Sequence, residues 1–259
     1  MAETAERLQT LITDLRIGVS LCTRLPVSPS APLDDGVVAR AGWTFPIAGL
    51  LVGLGGGLTY WIANRLHIPP GPATALALLA TVLLTGAMHE DGLADTADAL
   101  GGRSPEKRLE IMRDSRIGTF GASALAISFL VRWTALAEIG EVADIRTLVT
   151  ALVVAHTASR AVIPAFMYLV PPARADGLSS SAGQPPGHSI GVALALGILC
   201  LLLAFGPKLA MVALLIVGLG GLLLARIAIS RIGGQTGDVL GALQQFAEAT
   251  LLVIASAML

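Results

Sequence analysis

The sequence predicts an all-α, polytopic integral membrane protein, a bundle of about seven transmembrane helices preceded by an interfacial helix. Three observations carry this. Hydrophobic residues make up 54% of the 259 and charged residues only 14%, where soluble domains carry roughly a quarter charged. Mean hydropathy is +0.76. Apolar runs of about 20 residues, the length that crosses a bilayer, recur along the chain, without the ten-residue alternation of a membrane barrel. The reading is one membrane-embedded domain, 1–259, with an interfacial helix and linker at 1–36.

Taken in order, Leu8, Leu11, Ile12, Leu15 and Val19 fall at helical spacing, with Arg7, Asp14 and Arg16 among them. This suits an amphipathic helix lying in the interface or packed on the protein's own cytoplasmic face. Pro26, Pro29, Pro32 and Gly36 then form a linker. Spans are expected at 42–64, 70–88, 118–138, 147–170, 189–205, 207–230 and 239–259, with Pro207 marking a tight turn between the fifth and sixth. The acidic N-terminus (Glu3, Glu6, Asp14) lacks the pattern of a cleavable signal. Cys22 and Cys200 read as reduced, structural thiols. A net charge of −1 supplies no global field for nucleic acid.

Basic residues set the expected orientation. With the N-terminus inside, twelve of the seventeen Lys and Arg residues fall in inside segments. Arg65, Arg146 and Lys208 fall outside, and Arg132 and Arg160 lie within spans. The positive-inside rule then places the N-terminus in the cytoplasm and the C-terminus outside. The polar loops 89–117, 171–188 and 231–238 share the inner face, so a cytoplasmic site in the bacterial inner membrane is expected.

The candidate chemistry begins at "MHEDGLADTADALGG", 88–102. Asp91, Asp95 and Asp98 sit at i, i+4, i+7, within about 60° of one helical face. Like charges at this spacing cost stability unless something binds them, and carboxylates crowded near low dielectric must protonate, pair or hold a cation. All-oxygen ligation among small residues suits Mg²⁺, which uses one or two carboxylates plus substrate phosphates. Glu90, a quarter turn away, is a further candidate ligand. The alternative is a solvated acidic helix. Downstream, "EKRLEIMRDSRIGTFGA" (106–122) sets Arg113 and Arg116 before a helix start, a suitable anion site; Lys107 and Arg108 suit positive-inside anchoring. In the fourth span His156 and Arg160 stand at i, i+4. Such groups are costly in a membrane, and they read either as a buried structural pair or as holders of substrate phosphate. Arg132 reads as structural or snorkelling. In "SRIGGQTGDVLGA", 230–242, the glycines permit a tight turn. That loop is a candidate lid over phosphates, with Gln235 and Thr236 as substrate contacts. Asp238 caps the last helix or adds a metal ligand.

"HEDGLADTADALGG", "RLEIMRDSRIGTFGA" and "GGQTGDVLGA", with "TRLPV" at 23–27 and "FPIAGLLVG" at 45–53, closely resemble the cobalamin synthase family, the adenosylcobinamide-GDP ribazoletransferases. The similarity runs in order through about residues 23–242. The resemblance implies a membrane transferase of vitamin B12 assembly that uses Mg²⁺. Its substrates would be adenosylcobinamide-GDP and α-ribazole or its 5′-phosphate, with GMP released. Mg²⁺ on Asp91 and Asp95, Asp98 as further ligand or base, and Arg113, Arg116 and Arg160 near the leaving phosphate are the roles inferred from it. Partners are these substrates and the lipid bilayer, with homo-oligomerisation left open. Two other classes remain in view. Asp-Gly-x-x-x-Asp resembles part of the CDP-alcohol phosphotransferase pattern, but Asp95 stands where that pattern has arginine. A secondary transporter would distribute its acids at the midplane, whereas these cluster at one end.

Overall fold

The computed structural model describes residues 2–28 and 36–258. Pro29 and Pro32 of the expected linker lie outside the described residues. The protein is all-α: α1 (Ala2–Cys22), α2 (Val37–Arg40) with a 3₁₀ turn, α3 (Phe45–Arg65), α4 (Pro70–Thr85), α5 (Met88–Ala99), α6 (Pro105–Ile111), α7 (Thr119–Val142), α8 (Ile145–Ala161), α9 (Ile163–Leu169), α10 (Leu178–Ser181), α11 (Gly187–Ile227) and α12 (Gly237–Ser256).

Five helical stretches are long and apolar enough to cross a membrane among the described residues, and α4 with α5 makes a sixth if taken as one broken span. The expected seven therefore differ from this count at two places. α4 has only 16 residues, because Gly86 takes a left-handed conformation and the chain bends 88° into α5. α11 holds both the fifth and sixth expected spans. At 41 residues it would be roughly 60 Å long if straight, twice the hydrocarbon thickness. It breaks at Gly206 (φ 70°, ψ 171°), a conformation open to glycine, just before Pro207. Both ends then meet one short segment. Ser189 donates to the Ala39 carbonyl beside Pro164, while past the other end the Gln235 N–H donates to the Pro171 carbonyl at 2.8 Å. The chain thus folds back at the break. Leucines such as Leu58, Leu83, Leu130 and Leu203 remain exposed around the bundle, as a lipid-facing surface requires.

Glycines set the closest helix contact. Gly49, Gly53 and Gly57 repeat every four residues along α3, and that stripe lies against α8. A Cβ at Gly49 would stand 2.1 Å from the His156 carbonyl oxygen, and one at Gly53 2.7 Å from Val153 Cα. Small residues at this spacing let membrane helices approach where no hydrophobic effect drives them together. α1 is divided in its role. Ile17, Val19 and Cys22 are buried against the bundle, and Asp14 takes Arg40 at 2.8 Å and Trp43 Nε1 at 3.1 Å, whereas Leu8, Leu11 and Ile12 stay exposed. The inner half packs on the protein itself, as one expected reading has it, and the outer half leaves its leucines uncovered.

A charge network ties four helices inside the bundle. Arg132 of α7 is fully buried, and its Nη1 donates to Glu90 of α5 at 3.1 Å and to Glu248 of α12 at 2.9 Å. Glu248 also takes His156 Nδ1 of α8 at 3.0 Å and the Gln244 amide at 2.6 Å. Since a carboxylate only accepts, the His156 proton sits on Nδ1, which leaves the His156 carbonyl as the acceptor for Arg160 at 3.1 Å. Arg132 thus sits between two carboxylates, and Glu248 between Arg132 and His156. Arg132 does not snorkel. Its partners hold it inside the protein.

Arg132→Met strands two carboxylates in the bundle and is expected to cost about 3–5 kcal/mol, seen as a lower thermal midpoint in detergent, with Glu248→Gln added to it recovering part of the loss. An unchanged midpoint in the single variant contradicts the scaffold role.

Candidate active site

α5 is the organising element, and its position rests on a missing side chain. A Cβ at Gly92 would stand 2.8 Å from the Asp238 carbonyl oxygen and 3.2 Å from Gly241 Cα. Two glycines therefore bring the backbones of α5 and α12 together, and Asp91 and Asp95 on α5 come near Asp238 at the start of α12. Asp91, Asp238 and Asp98 all act electrostatically on Asp95.

The four aspartates are not equivalent. Asp98 Oδ2 accepts from the Gly118 N–H at 2.7 Å and Oδ1 from the Gly121 N–H at 2.8 Å. It is a bidentate cap on the first turn of α7, where the helix leaves N–H groups unsatisfied. Side chains at either glycine would displace it, since a Cβ at Gly121 would lie 2.3 Å from Oδ2. Thr236, rather than Asp238, caps α12, accepting from the Val239 N–H at 3.3 Å and donating to Asp238 at 3.2 Å. Asp91 and Asp95 have no side-chain hydrogen bond or ion pair among the described residues.

Two cavities flank this seam and share Asp91. The first, about 340 Å³, lies between α1, α2, α9 and the start of α12, with Gln235, Thr236 and Asp238 on its polar side. The second, about 480 Å³, is bounded by α5, α7 and the 112–117 loop, with Asp95, Arg113 and Ser115 on its wall.

The other expected residues are distributed less uniformly. Glu90 lines the second cavity, but its Oε1 accepts from Arg132 and from the Gln245 amide at 3.2 Å, which commits it to the buried network. Arg113 pairs with Asp176. Arg116 is exposed and grips Asp114, holding that carboxyl down at about 2; it lines neither cavity. His156 and Arg160 are buried in the network and line neither cavity. The structural-pair reading fits that position, because α8 carries them against α12, where His156 meets Glu248. Three residues were missed. Glu248 and Gln244 are polar residues within an apolar run, and their repeat at i, i+4 was the available signal. Arg174, on the wall of the first cavity, has an Nη1 buried without a partner; a lone loop arginine gives no sequence signal beyond orientation.

No group of three or more His, Cys, Asp or Glu side chains converges to hold a metal among the described residues. The donor set nevertheless fits Mg²⁺, because that ion needs only one or two protein carboxylates when substrate phosphates and water complete its shell, and Asp91 and Asp95 are unengaged.

Asp98→Ala strands two α7 amides and is expected to lower stability by about 1–2 kcal/mol, measured by thermal unfolding in detergent; an unaltered melting curve contradicts the capping role.

A family model described as cobalamin-5-phosphate synthase matches residues 14–256. A protein of Bradyrhizobium diazoefficiens named adenosylcobinamide-GDP ribazoletransferase is 57% identical over 97% of this chain and 96% of its own. Proteins of the same name from Mesorhizobium japonicum and Ralstonia nicotianae are 46% and 40% identical, over 95% and 92% of this chain and 93% and 92% of theirs. No solved structure matches. With nearly its whole length matched and its seam built from the motifs "HEDGLADTADALGG" and "GGQTGDVLGA", the chain belongs to the cobalamin-5-phosphate synthase family.

Proposed function

We propose that the protein joins adenosylcobinamide-GDP to α-ribazole or its 5′-phosphate and releases GMP, working from the cytoplasmic face of the bacterial inner membrane. The observation that carries this reading is the pair of unengaged carboxylates, Asp91 and Asp95, in a family whose relatives are named for the transfer. Two cavities meeting at Asp91 suit a two-substrate reaction. The excess of basic residues on the side bearing the seam supports the orientation.

In this reading a ribose hydroxyl of the acceptor attacks the phosphorus nearest the cobinamide arm. The new P–O bond forms as the bond from that phosphorus to the bridging oxygen breaks, and GMP leaves with that oxygen. Asp91 and Asp95 would hold Mg²⁺, which when bound supplies charge neutralisation at the diphosphate. Asp238, across the seam, takes the hydroxyl proton, a role Asp98 is poorly suited to because both its oxygens accept from α7. Thr236 orients Asp238 by its hydrogen bond. Arg113, on the wall of the second cavity, exchanges Asp176 for leaving-phosphate charge. The protein's contribution is positioning and electrostatics more than covalent chemistry.

Purified protein with both substrates should release GMP only when acceptor and Mg²⁺ are present, and EDTA should abolish the release until Mg²⁺ is restored. Asp91→Asn and Asp95→Asn should each lower turnover by about a hundredfold or more while the protein still inserts. Near-normal GMP release from both variants, or release independent of acceptor, contradicts the reading.

A further inference from the structure

We infer that the first cavity is the acceptor site, that the base of ribazole enters its apolar end, and that Arg174 distinguishes the 5′-phosphorylated acceptor from the unphosphorylated one. This rests on the proposed function and assigns one of its two substrates a place.

The cavity has two chemically distinct sides. Leu21, Val38, Phe45, Ile163, Met167 and Leu240 line it and belong to one packed apolar cluster. Asp91, Thr236 and Arg174 gather around Asp238 at the start of α12, with His89 also on the lining. Such a division suits a ligand with an apolar ring at one end and a sugar with a charged group at the other. The two substrates offer three bulky pieces. Guanine carries donors and acceptors around its edge, which this wall leaves unmatched at a cost. The corrin macrocycle with its side chains exceeds a volume of about 340 Å³. A benzimidazole base offers a single ring-nitrogen acceptor on an otherwise apolar edge and fits both the volume and the lining. With the base so placed, the ribose meets Asp91 and Asp238, where the attacking hydroxyl must be. Arg113 and the second cavity are left to the diphosphate of the donor.

Arg174 is held for a task at this polar side. The strand-like pairing around it is fixed: the Ala173 N–H donates to the Gln235 carbonyl at 2.9 Å, and the Gln235 N–H to the Pro171 carbonyl at 2.8 Å. Gly177, at φ 114°, lies directly beneath the guanidinium, since a Cβ there would stand 3.4 Å from Nε. Nη1 is buried without a hydrogen-bond partner, and the side chain is near enough to Asp238 to act on its charge. A phosphate ester on the acceptor sugar would pair with this cavity-wall guanidinium by a charge-assisted bond, and a small shift of the side chain would bring the unpartnered Nη1 to it.

The test compares α-ribazole with α-ribazole 5′-phosphate as acceptors for the wild-type protein, Arg174→Ala and Arg174→Lys, with equilibrium binding of each acceptor to the purified protein followed by calorimetry. Arg174→Ala should lower the ratio of kcat/KM for the phosphorylated over the unphosphorylated acceptor by about tenfold or more, and weaken binding of the phosphorylated acceptor by a similar factor. Arg174→Lys, which keeps the charge, should recover part of the ratio and serves if the alanine variant fails to accumulate. An unchanged ratio in both variants, or a rise confined to the KM of adenosylcobinamide-GDP, overturns the inference while leaving the transfer reaction intact. Absence of acceptor-dependent GMP release from the wild-type protein instead overturns the function on which it rests.

Discussion

The bond from the Arg132 guanidinium to two carboxylates on different helices constrains everything above it. Glu90 and Glu248 would be untenable in a bilayer interior without this cation, and the cation would be equally untenable alone. Each partner comes from a different helix, so the pairing fixes the depth and rotation of α5 relative to α7 and α12. Glu90 and Asp91 are neighbours in sequence and point to different surroundings, one to the network and the other to both cavities. The electrostatics that make the bundle possible thereby decide which acidic groups stay free for chemistry.

Above that anchor, close backbone approach does the rest. Gly92 and Gly241 let α5 and α12 meet without intervening side chains, so carboxylates from separate parts of the sequence share one seam. The cap on α7 by Asp98 holds the far end of α5 in the same way, by hydrogen bonds to main-chain amides. The acidic helix is thus fixed by Glu90 at one end and Asp98 at the other, and the two carboxylates between them, Asp91 and Asp95, are the ones without partners.

Much of this was legible in the sequence because it follows from local regularity. Apolar run length gave the helices, and the spacing of Asp91, Asp95 and Asp98 gave their common face. What local pattern could not reveal is which charges are already engaged. Asp98 resembles Asp91 in every local respect, yet its partners lie 20 and 23 residues away. Glu90 is bonded across 42 residues to Arg132 and across 155 to Gln245. The pair His156 and Arg160 carried the right residue types for phosphate, but only the rotation of α8 against α12 tells which way they face. The spans were legible on the same footing, with Pro207 marking the break within α11, whereas the early end of α4 depended on a left-handed glycine and the turn that follows it.

The divided helix α1 has a consequence for the first cavity. Leu21, at its inner end, forms part of the wall of the first cavity, while Leu8, Leu11 and Ile12 project from the same continuous rod about two and a half to three and a half turns earlier. Because cavity wall and exposed leucines belong to one rigid helix, whatever covers those leucines is held at a fixed distance from the chamber.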